Sequence, residues 1–285
     1  MRVLGVGVAT LDLVNEVDAY PAEDAEVRAR AQRAGRGGNC ANTLVVLSQL
    51  GHACSWAGTL GDDAAADRVA ADLAGQGVDA GWAKRHAGEG TPTSCITLSR
   101  STGSRTIVHF RALAEFRAED FARIPLDAFD WLHFEGRAVP DLARMLDRLD
   151  EVGGPPCSLE VEKPREGIEA LLGRVDLLLF GRAYAESHGH TEAATLLRDA
   201  VPAAVDAVCA WGEAGAWGRS ADGAIYHAPA WRPERVVDTL GAGDVFNAAA
   251  IDARLRGAAM PELLEAACRL AGVKCGRRGL DHLLA

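Results

Sequence analysis

Val237-Asp238-Thr239-Leu240-Gly241-Ala242-Gly243-Asp244-Val245-Phe246-Asn247 reads as a loop that turns into a helix. Its two glycines let the backbone turn tightly and approach a ligand, and the alanine-rich run from Phe246 to Ala253 can propagate as a buried helix. The first amides of such a helix have no partner within it and sit at the positive end of its dipole, so they attract phosphate oxygens. Asp244 puts a carboxylate inside the same turn. A pure anion site would avoid an aspartate there, so the pairing points to chemistry: amides for a phosphoryl group, a carboxylate for the proton of an attacking hydroxyl. The competing reading makes Asp244 a helix N-cap, where aspartate is common. A helix N-terminus also favours negative charge, so Asp244 is expected to stay ionised, a weak base and a good hydrogen-bond acceptor.

Upstream of this stretch, short apolar runs alternate with amphipathic ones. Arg2 to Val8 is an apolar run ending in Gly5-x-Gly7, the pattern of a buried first strand. A dinucleotide-binding turn needs a third glycine, but Thr10 stands in its place and Leu11-Asp12 follows where a helix should begin. Asp12 comes directly after this strand, and ligand groups in α/β proteins gather at the carboxyl ends of strands. Gly35-Arg36-Gly37-Gly38-Asn39-Cys40-Ala41-Asn42 introduces a helix through Leu50, closed by Gly51. Asn39 and Asn42 are three residues apart and face the same side of its first turn. Two amides there can hydrogen-bond neighbouring hydroxyls, as a sugar presents them; capping explains Asn39 alone but not Asn42.

Ala53 to Gly58, Trp131 to Phe134, Cys157 to Val161, Val175 to Phe180 and Val205 to Trp211 read as further strands. Helices are expected from Ala64 to Leu73, around Met145-Leu146, and after Pro261, where Leu263, Leu264, Ala267, Leu270 and Ala271 share a face. Strands and helices interleaved in this way imply a doubly wound α/β domain. Charges bunch at two strand exits, Glu135-Gly136-Arg137 and Glu160-Val161-Glu162-Lys163-Pro164-Arg165-Glu166, which suits a polar site along one sheet edge; singly, each reads as a solvated loop charge. The alternation from Glu26 to Arg33, with Ser94 to Leu98 and Arg105 to Phe110 joined by a turn at Ser101 to Ser104, suggests a small separate sheet or an edge extension of the main one. The turn Gly212 to Ala216 lets the backbone approach a nucleotide, while His188 and His190, with no third ligand nearby, read as surface residues.

The 285 residues, 48% hydrophobic and 25% charged, suit one large domain with at most a small appendage. A net charge of −10 gives no electrostatic footing for nucleic acid. No apolar run reaches membrane-spanning length and the N-terminus lacks signal-peptide features, so a cytoplasmic location is expected. The cysteines show no CxxC spacing and read as small buried hydrophobes rather than a disulfide framework or zinc site.

Gly37-Gly38-Asn39 with Asn42, and Asp238-Thr239-x-Gly241-Ala242-Gly243-Asp244-x-Phe246, resemble the two signatures of the ribokinase/PfkB carbohydrate kinases. Further stretches are similar to the ketohexokinase branch of that family, which phosphorylates fructose at its 1-hydroxyl with ATP. They are Tyr20-Pro21-x-Glu23-Asp24, Arg105 to Val108, Glu135 to Arg137, Val161 to Glu166, Cys209 to Trp211 and Val273 to Gly276. The resemblance implies one ribokinase-like α/β domain over 1–285, a central and mostly parallel sheet flanked by helices, with a small β-sheet lid built from about 12–34 and 92–112. It implies Asp244 as catalytic base with Gly241, Ala242 and Gly243 as the anion hole. Asp12, Gly38, Asn39 and Asn42 match sugar-contacting positions, and Arg105 matches a lid arginine near the phosphates. Glu213 and Gly215 fall in the turn on the ATP side, and Cys268 on the helix flanking the adenine. Asp24 falls in lid strands that interlock two subunits in this branch, so a contribution to the substrate site and a homodimer are expected. The implied cofactors are ATP and Mg²⁺, with K⁺ as a further cation. The Asn-x-x-Glu motif that helps organise magnesium in the wider family is missing at Phe180 to Tyr184, so no residue is assigned to the metal. The loop also lacks the Lys-Ser/Thr of a P-loop. Three rival readings stay open: a kinase of another sugar or a nucleoside, a non-catalytic sugar or nucleotide sensor, and a dinucleotide oxidoreductase that would bind NAD(H).

Overall fold

A computed structural model describes residues 1–284. The chain starts with β1 (Arg2–Val6), β2 (Thr10–Val17), β3 (Ala31–Gly37), α1 (Asn39–Gln49), β4 (Ala53–Ala57), β5 (Thr59–Leu60) and α2 (Ala64–Gly75). It continues through β6 (Val78–Asp79), β7 (Lys84–Arg85), β8 (Thr93–Ser99), β9 (Arg105–Phe110), α3 (Ala118–Phe121), β10 (Trp131–Glu135) and α4 (Val139–Val152). The remainder holds β11 (Cys157–Val161), β12 (Leu177–Phe180), α5 (Arg182–Ser187), α6 (Ala193–Ala200), β13 (Asp206–Ala210), β14 (Ala216–Arg219), β15 (Ile225–Ala228), α7 (Ala242–Leu255) and α8 (Met260–Cys275).

The main sheet has the order β15-β14-β13-β12-β11-β10-β1-β4-β6. From β13 to β6 the neighbours run parallel, and β14 and β15 close one edge antiparallel. A parallel strand buries both faces, which is why these segments are unbroken apolar runs whose alternate side chains part to opposite sides. In β12, Leu177 and Leu179 join a core with α1, α2, α7 and α8, while Leu178 and Phe180 join a second core with α4, α5 and α6. Ala248, Ala249, Ala250 and Ala253 are buried along α7, and their small side chains let it pass close to α1 and α8. On α8 the inner face is Leu263, Leu264 and Ala267 with Lys274, whereas Leu270 and Ala271 are only half-buried.

The strands β3-β2-β8-β9 form their own four-stranded sheet, so the separate-sheet reading holds and the edge-extension reading does not. Its boundaries differ from expectation. Glu26 to Arg30 is irregular and largely exposed, and the strand begins only at Ala31. The partner explains this: β2 pairs with β3 from Glu16↔Ala31 to Thr10↔Gly37, and the last backbone bond beyond it runs from Arg30 N to Glu16 O at 2.7 Å. Alternation alone does not hold a strand whose neighbour has ended. Asp12 accordingly lies inside β2 rather than in a loop after β1. All the cysteines are free; five are buried, Cys275 is half-buried and Cys95 is exposed. Among the described residues no helix is long and apolar enough to cross a membrane.

Candidate active site

The helices α1 and α7 start side by side, each introduced by a glycine of positive φ, Gly38 at 100° and Gly241 at 81°. Side chains are strained in that region, and a Cβ on Gly38 would also lie 2.1 Å from the carbonyl oxygen of Val8. Both first turns open onto a cavity of about 430 Å³ whose wall brings together Asp12, Gly38, Asn39, Asn42, Arg105 and the whole run Gly241 to Asp244. The carboxyl ends of β10 and β11 supply the facing side.

In the loop, the Ala242 amide donates to Thr239 O at 3.3 Å, while the amides of Gly241, Gly243 and Asp244 meet no acceptor among the described residues. Apart from its chain neighbours and the backbone of its own helix, no described atom lies within 4 Å of where a Cβ on Gly243 would stand. Three such donors at a helix N-terminus, all on residues that line the cavity, suit an anionic group. Arg105 reaches over this loop, its Nη1 donating to Thr239 Oγ1 at 3.0 Å. The loop is held from below by Asp238, whose Oδ1 accepts from Leu240 N at 2.9 Å and whose Oδ2 accepts from Gly279 N at 3.1 Å. The fully buried Lys274 donates Nζ to Asp238 O at 2.8 Å and pairs with Asp238 Oδ2 at 3.0 Å. Burial alone would raise Asp238, but the Lys274 charge and the two amides keep its carboxyl below the usual range.

Asp244 does not cap its helix. The cap position is Gly241, and the Asp244 carboxylate turns away to accept Asn42 Nδ2 at 2.6 Å. Asn42 Oδ1 accepts in turn from Arg36 Nη1, and Arg36 Nε donates to Asp72 Oδ2 at 2.7 Å. Burial raises Asp244 to about 8, against the opposing hydrogen bond from Asn42 and with the charges of Glu162 and Glu135 adding to the rise. The expectation of a permanently ionised Asp244 is therefore corrected: desolvation of a buried carboxylate outweighs a helix dipole worth about 0.3–1 kcal/mol at an exposed end.

The strand-exit glutamates are not all solvated loop charges either. Glu135 and Glu160 are register partners on adjacent parallel strands, so they share one face of the sheet. Glu135 Oε2 accepts Val8 N at 2.9 Å. Glu160 is 5% exposed; its Oε1 accepts from Asn39 at 3.1 Å and from Asn247 at 3.0 Å, and its Oε2 is buried with no partner. Burial, then the nearby Glu135 and Asp244 charges, push Glu160 well above the usual carboxyl range. Glu162 is exposed and accepts a second bond from Asn39 at 3.2 Å. Asp12, raised by burial, accepts Thr10 Oγ1 at 2.8 Å.

Four expected site residues lie outside this cavity wall. Asp24 is exposed at a bend with φ 60°, and Glu213 is exposed in a short turn that ends at Gly215, φ 94°. Cys268 is buried on α8 with its Sγ 3.8 Å from Ala228 O. His188 and His190 pair with Glu169 at 3.2 Å and Asp199 at 3.8 Å, away from the cavity. Reading the sequence missed Arg36, Asn247 and the Asp238–Lys274 pair. A glutamate inside the apolar run Ser158-Leu159-Glu160-Val161 was a legible signal for Glu160, and the burial of a lysine on an apolar helix was not.

A family model described as pfkB family carbohydrate kinase matches residues 2–284. The chain is 38% identical to ketohexokinase of Mus musculus over 294 residues, covering 99% of each chain. Ribokinase of Arabidopsis thaliana, solved with ribose and ATP, superposes with a TM-score of 0.81 at 22% identity, covering 98% of this chain and 93% of that one. Adenosine kinase of Sinorhizobium meliloti superposes with a TM-score of 0.80 at 22% identity, covering 98% and 95%. These two structures share the fold, a ribokinase-like α/β arrangement with a small separate sheet.

Proposed function

The chain belongs to the pfkB family of carbohydrate kinases, and from that premise we propose that it transfers the γ-phosphoryl group of ATP to a hydroxyl of a ketohexose such as fructose, giving a 1-phosphate. The observation that carries this reading is the pairing of Asp244, oriented by Asn42 at 2.6 Å, with the free amides of Gly241, Gly243 and Asp244. A base and an anion cradle within one helical turn are what in-line transfer to a hydroxyl needs. Asp12, Asn39 and Asn42 hold the sugar hydroxyls, and Asp244 takes the proton of the attacking one. The three amides and Arg105 hold the phosphoryl oxygens. Glu160, with an unpartnered buried oxygen among like charges, and Glu162 suit a hydrated Mg²⁺, which usually binds through one or two carboxylates plus substrate phosphates. When bound it neutralises charge on the transferring group. K⁺ is kept from the resemblance alone, and replacing KCl by NaCl tests it.

The four-stranded sheet serves as a lid beside the cavity and as the contact of a homodimer. Val27, Ile107, Val108 and Phe110 support this, being apolar and 46–71% exposed on or beside its outer strands. Asp24 would then serve a substrate site only through a second copy. The test of the function is a panel of fructose, tagatose, ribose and adenosine with ATP and Mg²⁺, read as ADP release. Fructose or tagatose should lead. Preference for adenosine would replace the reading with a nucleoside kinase, and binding without ADP release would replace it with a sensor.

A further inference from the structure

Arg36, near the end of β3, is one of several residues through which the second sheet touches the cavity, beside Asp12 of β2 and Arg105 of β9. Its side chain is 3% exposed and anchored on α2 by its Nε to Asp72, and Arg68 of the same helix holds the strand two residues earlier, its Nη2 donating to Ala34 O at 2.8 Å. A guanidinium carries donors only, so the Asn42 atom facing it must be the amide oxygen. The amide nitrogen is thereby turned toward Asp244, where it donates to Oδ2 at 2.6 Å. Among the described residues Asp244 Oδ1 has no hydrogen-bond partner, and Asp244 lines the cavity.

We propose that Arg36 is a positioning residue for the base: by occupying the Asn42 amide oxygen it forbids the flipped amide, fixes one Asp244 oxygen and leaves the other for the acceptor hydroxyl. The inference rests on the kinase reading above. Without Arg36 the Asn42 amide can rotate and present its oxygen to the carboxylate, which weakens the hold on Asp244 and lowers turnover more than sugar binding.

The test compares Arg36→Met, Arg36→Lys, Asn42→Ala, Asp72→Asn and the double variant Arg36→Met/Asn42→Ala in ADP release with the preferred ketose. Arg36→Met should lower kcat at least about tenfold while sugar KM stays within about threefold, and Arg36→Lys should recover part of the rate. In the Asn42→Ala background, Arg36→Met should cost less than about twofold, because the two act in series. Losses that multiply in the double variant, or a loss confined to sugar KM, would overturn the proposal. If Arg36→Met does not fold, Asp72→Asn decides: a severalfold lower kcat at unchanged KM supports it, and wild-type kcat overturns it. A wild type that phosphorylates nothing overturns the kinase reading and this one together; an active wild type with an unaffected Arg36→Met overturns this one alone.

Discussion

The proposed transfer turns on one carboxyl group, that of Asp244. Substitution by asparagine should lower turnover by about 10²–10⁴-fold, the usual contribution of a general base, and leave sugar binding measurable by calorimetry. Because burial raises this group to about 8, kcat/KM of the wild type should climb with pH on its acid side and level off only near that value. The sign for stability is the opposite. A folded-state pKa above the ordinary 3.8 means that the folded chain holds a proton the unfolded one has lost, so stability falls as pH rises between about 4 and about 8. Asp244→Asn, which has no charge to bury, should therefore melt higher than the wild type at pH 8.5, the gap closing below pH 4 in thermal melts. The choice of an aspartate for this loop was legible from its neighbours. Its raised pKa was not, since that depends on solvent exclusion by residues far away in the chain.

The loop before α7 shows how one element is made ready for a ligand. Its turn residues are local, Gly241 at positive φ and Gly243 leaving space, but the loop is fixed by a lysine from the far end of α8. Lys274→Met should destabilise the protein by about 3–5 kcal/mol in urea unfolding, because it leaves a buried Asp238 carboxylate without its main partner. A loss below about 1 kcal/mol would mean that Arg33, 3.3 Å from Asp238, suffices. The two edges of β3 tell the same story. Its C-terminal end, Gly37-Gly38-Asn39, was recognisable as a turn into a helix, whereas its N-terminal end was misplaced because a strand's length is set by its partner. Periodicity in one segment carries no information about where the neighbouring strand stops.

At the scale of the molecule, the second sheet carries the exposed apolar side chains of Ile107, Val108 and Phe110 on β9 and also delivers Arg36 and Asp12 to the cavity. Val108→Glu with Phe110→Glu should convert a species of twice the chain mass into a monomer in sedimentation equilibrium; a wild type that sediments as a single chain would remove the dimer. The amino-acid sequence by itself determined the α/β class, the two glycine turns with their helices, and the family, because each is written in short-range patterns of apolar alternation and backbone freedom. Only the tertiary structure decided which charged groups meet. Asn42 and Asp244 lie 202 positions apart and Asn39 and Glu160 lie 121 apart, and parallel-strand register and crossover helices bring them together. Burial followed from that convergence, and with it the raised carboxyl groups of Asp244 and Glu160: desolvation depends on everything that surrounds a group, which no single stretch of chain contains.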